Sequence, residues 1–297
     1  MLKKSLLLGG VFALAFGALT GCSEGTSGQQ QAGGSLTIVG STAMQPLVEE
    51  AGKAYSAKNP NVQINVQGGG SGQGLSSVMN DTADIGNSDL FAEEKSNENI
   101  DPSQLVDHKL FVVGFAPVVN PDVGVDNLTQ QQLIDIFTGK IKNWKEIGGK
   151  DLPVVLVNRP ESSGTRATFA KYALKGNTEF RAKGGIEEDS SGTVRKIVSE
   201  TPGAIGYLAF SYIDSSVKAL KLDGVEPTNQ NVCTNKWKVW SYEHMYTNKN
   251  GKNSKTENAF IQYILSGEGQ ALVKKREYIP VSQMKVERDA DGSVKPE

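Results

Sequence analysis

The chain is 297 residues long, with 31 basic and 33 acidic side chains, 38% hydrophobic residues and two cysteines. That length can bury a core large enough to stand without crosslinks, as one large domain or two smaller ones. The slightly acidic balance argues against nucleic acid as a partner, which needs a basic face, and two cysteines are too few for a disulfide framework.

At the start, Lys3 and Lys4 precede an apolar run over 6–19 that closes on Leu19-Thr20-Gly21-Cys22. These zones predict a secretory signal peptide over 1–21, too short and too abruptly ended to span a bilayer. The LTGC ending resembles the lipobox of bacterial lipoproteins, where the peptide is cut before the cysteine and that cysteine receives palmitate-like chains. Cys22 is therefore expected to begin an exported chain, lipid-anchored to the outer face of the cell membrane. Cleavage there leaves 276 residues and, without Lys3 and Lys4, 29 basic against 33 acidic side chains. If Cys22 is acylated, Cys233 has no partner within the chain. Residues 23–34 are small and polar without apolar periodicity, so 22–34 is predicted to be a lipidated flexible tether.

The globular part opens with an apolar run over 36–39, a Gly-Ser-Thr turn, and a helix carrying Met44, Leu47, Val48, Ala51 and Tyr55 on one face. The same unit repeats: Val62, Ile64 and Val66 alternate as in a strand, a glycine-rich loop follows, and Leu75, Val78 and Met79 mark a second helix. ADIGNSD reads as a short buried strand ending at Asn87-Ser88-Asp89. A charged helix-like stretch precedes HKLFVVGFAPVVNP, a long apolar β segment broken by Pro117 and taken as a crossing between two lobes. An amphipathic helix is predicted over 129–137, a strand from Pro153, and then a helix carrying Phe169, Tyr172 and Leu174. SSGTVRKIVSETPGAIGYLAF gives a helix and a strand, WKVWSYEHMYTN a return crossing, and a last helix covers 257–265 and ends at Gly267. From Lys285 the chain is charged and aperiodic. Strands alternating with helices predict parallel-rich α/β sheets, whose ligands sit where strand ends enter helices.

The polar loops all occupy that position. In GSTAMQP, the unpaired N–H groups of a helix start stabilise an anion, with Thr42 and Ala43 offering N–H groups and Thr42 its hydroxyl; alternatively Ser41 or Thr42 is only an N-cap. In GGGSGQG the glycines let the backbone approach a ligand, with Ser71 as side-chain donor; the loop lacks the Gly-Lys-Ser/Thr ending of a nucleotide-binding P-loop and otherwise reads as a flexible turn. In IGNSD, Asp89 either neutralises an arginine or caps a helix, or it accepts a hydrogen bond from an anion that keeps a proton. Phosphate keeps one at neutral pH and sulfate does not.

In NRPESSGTRATF, Arg159 is a planar fork of donors suited to tetrahedral oxyanions, Ser163, Gly164 and Thr165 stand at a helix start, and Glu161 is near enough in sequence to hold the guanidinium. Arg166 reads as a solvent-facing helix residue. A serine hydrolase would need a base, yet the stretch lacks the GxSxG elbow and His108, which opens an apolar strand, reads as structural. The near-copy SSGTVR offers Ser191 or Thr193 as a cap, with a role in closing the site left open. Trp144, Trp237 and Trp240 read as packing residues. No His/Cys/Asp cluster has metal-ligand spacing, and no cofactor or catalytic residue is assigned.

Taken in order, IVGSTAMQPLVE, GGGSGQG, DIGNSD and NRPESSGTRATF resemble the phosphate-binding proteins of bacterial phosphate ABC transporters, over essentially the whole mature chain. The resemblance implies a two-lobed α/β fold of the periplasmic-binding-protein type (type II), each lobe a mixed sheet flanked by helices, joined by a two-segment hinge. It implies lobe 1 over 35–115 and 245–285, lobe 2 over 116–244, and a loose tail over 286–297. It further implies a monomeric, non-enzymatic protein that captures inorganic phosphate and delivers it to the membrane permease subunits. The ligands would be Thr42, Ala43, Ser71, Asp89, Arg159, Ser163, Gly164 and Thr165. Arsenate, sulfate or molybdate as the anion, a secreted phosphatase or hydrolase, and a surface lipoprotein with a vestigial pocket remain the alternatives.

Overall fold

A computed structural model describes residues 33–177, 185–251 and 254–297, so the expected signal peptide, Cys22 and nearly all of the tether lie outside the described residues. The first third runs β1 (Gly34–Gly40), α1 (Gln45–Lys58), β2 (Val62–Gln67), α2 (Ser71–Met79) and β3 (Ile85–Ser88), with β1 parallel to both other strands. Helix α1 starts where Pro46 fits a first turn, whose N–H groups lack intrahelical acceptors, and it buries Leu47, Val48, Ala51 and Tyr55 as the spacing predicts.

The charged stretch that follows is a short 3-10 helix, Ala92–Glu98, leading to β4 (Leu105–Val119). Pro117 does not break β4. It has no N–H to give, but its carbonyl accepts from Leu220, and the strand runs on against Tyr207 of the neighbouring strand.

The chain continues through β5 (Asn127–Leu128), α3 (Gln130–Phe137), β6 (Val155–Asn158), α4 (Gly164–Tyr172), β7 (Ile186–Glu187), α5 (Ser191–Glu200) and β8 (Ala204–Ala209). Thr129 caps α3, its hydroxyl accepting from Gln132, whose side chain returns the bond. Then come β9 (Lys218–Ala219), β10 (Lys221–Leu222), α6 (Asn229–Cys233) and β11 (Trp240–Asn248). The last part holds α7 (Ser254–Leu265), α8 (Gly267–Lys275), β12 (Ile279–Pro280), β13 (Val286–Arg288) and β14 (Val294–Pro296).

One mixed sheet carries the strands in the order β2-β1-β3-β11-β4-β8-β6-β7, with β9 and β12 also on β4. β4 serves two neighbours in succession: Leu105 to Gly114 pair antiparallel with β11, and Phe115 to Val119 with β8. The fold is thus α/β with a mixed sheet flanked by helices. The core includes Leu36, Ile38, Phe111, Val113, Phe137, Phe169 and Tyr207, all fully buried. The three tryptophans pack as expected, each indole N–H meeting an acceptor: Gly203 O for Trp144, Phe115 O for Trp237 and Asn235 Oδ1 for Trp240.

Two features differ from the sequence reading. The helix expected to end at Gly267 does stop at Leu265, but Ser266 caps a further helix, α8, and Gly269 lies so close to the Tyr263 and Ile264 carbonyls that a Cβ would meet them within 2.4 Å. The tail expected to be loose over 286–297 forms the β13–β14 hairpin. Its anchor is Arg288, whose guanidinium lies 3.7 Å from the Trp240 ring centroid and 3.9 Å from that of Tyr172, with a hydrogen bond to the Trp240 carbonyl.

Candidate functional site

The loops after β1, β2, β3, β6 and β7 meet in one buried cluster, where α1, α2, α4 and α5 begin. β1 can deliver its loop there because Gly40 sits at φ +138°, and a Cβ on it would stand 2.1 Å from the Asn87 carbonyl of β3. Four helix starts bring partial positive charge to one region; the Gly72 N–H of α2 is taken by the Ser162 carbonyl and the Ser191 N–H of α5 by Thr42 Oγ1.

All eight predicted residues are brought together. Arg159 is 1% exposed, and its guanidinium donates to Ser191 Oγ at 3.0 Å, Thr42 Oγ1 at 3.1 Å and the Asp189 carbonyl at 2.6 Å. Its Nε has no hydrogen-bond partner among the described residues. Burial pulls the guanidinium below arginine's usual range, while Tyr207 and Asp89 act in the opposite direction. Asp89, also 1% exposed, accepts from the Ser41 hydroxyl and from Thr165 Oγ1 at 2.8 Å, and its N–H donates to Ser71 Oγ at 2.9 Å. The Ala43 N–H donates to Ser41 Oγ at 3.1 Å. Ser163 caps α4, accepting from the Arg166 N–H at 3.2 Å, which leaves the Gly164 and Thr165 N–H groups at the open start of that helix. A Cβ on Gly164 would stand 2.2 Å from Ser71 Oγ, so the two loops touch across the cluster.

Several neighbours differ from expectation. Glu161 is exposed, and its backbone carbonyl accepts from Lys95 at 3.3 Å; Arg159 is braced instead by the residues above. Arg166 is not solvent-facing: its guanidinium folds back to donate to the Arg159 carbonyl at 2.6 Å. Ser190 is the cap of α5, which frees Ser191, the first helical residue, to join Thr42 at 2.9 Å and Arg159 in the cluster. Ser41 and Ser191 were legible only as cap candidates, because a cap and an oxyanion donor use the same residue types.

Tyr212 was not singled out by any motif; its hydroxyl holds the Thr42 carbonyl at 2.7 Å, and burial raises its phenol pKa. Glu243, in the middle of β11, was missed altogether. It is fully buried beside Asp89, and burial followed by the Asp89 charge raises its carboxyl well above the usual range. The only sequence signal was a carboxylate inside an apolar crossing strand.

His108 lies at 3.2 Å from Thr247 and His244 at 2.7 Å from Asp107, so neither is hydrogen-bonded to a serine of the cluster. Among the described residues there is no group of three metal-ligating side chains. Chemically, the cluster is a nest of donors around one arginine, with the Asp89 carboxylate as an acceptor among them.

The comparisons agree with that chemistry. The profile of the PBP superfamily domain matches residues 25–268. The phosphate-binding protein PstS of Bacillus subtilis is 54% identical over 272 residues, covering 91% of this chain and 88% of that one. A phosphate ABC transporter substrate-binding protein from Clostridium perfringens, solved with bound phosphate, superposes with a TM-score of 0.76 at 36% identity, covering 84% of this chain and all of that one. An ABC-type phosphate transport receptor from Vibrio cholerae gives a TM-score of 0.65 at 28% identity, over 82% of this chain and 99% of that one.

Proposed function

This chain belongs to the bacterial phosphate-binding proteins of the PBP superfamily, and we propose that it captures inorganic phosphate outside the cytoplasm and delivers it to the permease of a phosphate ABC transporter. The observation that carries the reading is the buried Asp89 carboxylate set among donors. A site built only to attract anions would exclude a carboxylate; one built for an anion that still bears a proton needs an acceptor for it. Sulfate has no proton to offer and would leave Asp89 facing a bare oxyanion, the kind of mismatch that rejects an analogue by roughly four orders of magnitude.

The assigned ligands are the Thr42 hydroxyl and N–H with the Ala43 N–H, Ser71, Asp89, the Arg159 guanidinium, Ser163, and the N–H groups of Gly164 and Thr165. Each hydrogen bond that Arg159 makes to Thr42 and Ser191 is one a phosphate oxygen could take over. No bond in phosphate is made or broken in this reading.

Residues 35–115 and 245–285 are assigned to lobe 1 and 116–244 to lobe 2, a division supported by the change of β4 partners from β11 at Gly114 to β8 at Phe115. Asp89, Ser71 and the Thr42 loop then belong to lobe 1, and Arg159 with the α4 start to lobe 2, so ligand biases a hinge equilibrium toward closure. Cys22, lipidated, holds the protein at the outer face of the membrane.

The test of the site is a calorimetric phosphate titration of a soluble form beginning after Cys22, with and without Arg159→Ala. Losing a charged, multiply bonded donor should weaken binding by roughly a hundredfold or more, about 3 kcal/mol. Equal affinity in the variant removes Arg159 from the site.

A further inference from the structure

Glu243 is 0% exposed and sits where the β11 to β4 register slips, between Glu243 and His244. Its Oε1 accepts from Ser241 Oγ at 3.1 Å, while its Oε2, sealed from solvent, receives a hydrogen bond from no donor among the described residues. The antiparallel register of β11 with β3, His244 opposite Ser88, sets Glu243 level with Asp89, whose charge helps raise the Glu243 carboxyl. Two buried carboxylates in contact cannot both hold a charge, and a buried oxygen without a donor is itself unfavourable. One proton on Glu243 resolves both, since a neutral acid can donate to Asp89.

The surroundings give the proton no reason to leave. Asp89 comes from the end of β3, and Tyr278, whose phenol burial raises strongly, from the segment before β12. Arg159 lies beyond Asp89 and is engaged by Thr42, Ser191 and Asp189, with Tyr212 bonded to the Thr42 carbonyl. On β4, Asp107 pairs with His244, and Lys109 lies over the Tyr242 ring. Asp89, by contrast, has the Ser41 and Thr165 hydroxyls to support a negative charge.

We propose that Glu243 is a positioning residue of the oxyanion site, a neutral acid whose proton is donated to Asp89, so that the pair carries one negative charge and Asp89 remains an acceptor for an incoming P–OH group. The role toward phosphate rests on the reading above; the protonated pair does not. If Glu243 ionises as the medium becomes alkaline, a second negative charge appears behind Asp89 and opposes the anion.

Two arms test this with wild type and Glu243→Gln. Without ligand, chemical unfolding is followed from pH 4 to 9. A carboxyl whose folded pKa lies above its unfolded value favours the fold fully below the unfolded value and loses that contribution as pH rises toward the folded one. The unfolding equilibrium of wild type should therefore shift toward the unfolded form relative to Gln by up to tenfold per pH unit above about pH 4.5. A difference that stays flat across this range overturns the proposal. With phosphate, the alkaline loss of affinity should be steeper in wild type than in Gln, and parallel profiles overturn the positioning role. If Gln fails to fold, carbon-13 spectra of glutamate-labelled wild type decide: one glutamate carboxyl must remain protonated at pH 7, and its absence refutes the pair. Should wild type bind no phosphate while the ligand-free arm holds, the phosphate reading fails and the protonated pair stands.

Discussion

Gly164→Ala separates closure from ligation, because it keeps the backbone N–H and the helix start while adding one methyl group. In the arrangement described, that methyl would stand 2.2 Å from Ser71 Oγ and 2.9 Å from the Cβ atoms of Ser71 and Asp89, all distances below van der Waals contact. Neither neighbour is free to give way: Ser71 is held by the Asp89 N–H, and Asp89 by Ser41 and Thr165. Overpacking of this kind costs about 1–3 kcal/mol. On the proposed lobe division Ser71 and Asp89 lie opposite Gly164, so the strain would be confined to the closed arrangement. Phosphate affinity should therefore fall by roughly 5- to 150-fold, and the unfolding midpoint without ligand should move much less. Gly72→Ala is the control, because its added methyl would find Ser162 at 3.5 Å, an ordinary contact. Calorimetric titration of parent, Gly164→Ala and Gly72→Ala reads the outcome. An affinity within threefold of the parent for Gly164→Ala would refute closure of these two loops on the ligand.

Removing the acceptor by Asp89→Ala should narrow the phosphate-to-sulfate preference from roughly four orders of magnitude to two or fewer, and competition titrations showing undiminished sulfate rejection would count against it. Glu50 joins α1 to the end of α8; the hydrogen bonds from Lys275 and Arg276 pull its carboxyl below the usual range, so their stabilisation is present above pH 4.5 and lost as pH falls through the lowered value. Glu50→Gln should cost about 0.5–1 kcal/mol at pH 7, the cationic partners being exposed to screening, and progressively less as pH falls below 4.5; a cost that does not decline with falling pH would exclude the ion pairs as its cause. Arg288, whose guanidinium burial draws down to about 10, fastens the C-terminal hairpin between Trp240 and Tyr172, and Arg288→Ala should destabilise the protein by about 3 kcal/mol in denaturant unfolding. An unchanged midpoint would make the hairpin dispensable.

The alternating strand and helix units were legible because each buries one face at its own period, as with Val62 and Ile64 in β2 or Leu47 and Val48 in α1. The four loops were legible because close backbone approach and oxyanion donation call for glycine, serine, threonine and arginine. What escaped was set by contacts distant in sequence. Arg288 looks like any charged tail residue until two rings enclose it. Ser191 reads as a cap until Ser190 proves to hold that role. Arg166 looks solvent-facing until the Arg159 carbonyl is found within its reach. Glu243 meets Asp89 only through the pairing of β11 with β3, which local patterning does not specify.

Selective capture of phosphate is decided by titrating the soluble protein, stripped of bound anion, with phosphate and then with sulfate at pH 7. Phosphate should bind one to one, with no response to sulfate at concentrations a thousandfold above the phosphate Kd, inside the roughly ten-thousandfold discrimination an unmatched buried acceptor gives. Comparable binding of both anions would contradict the role given to Asp89, and binding of neither would contradict the capture of phosphate itself.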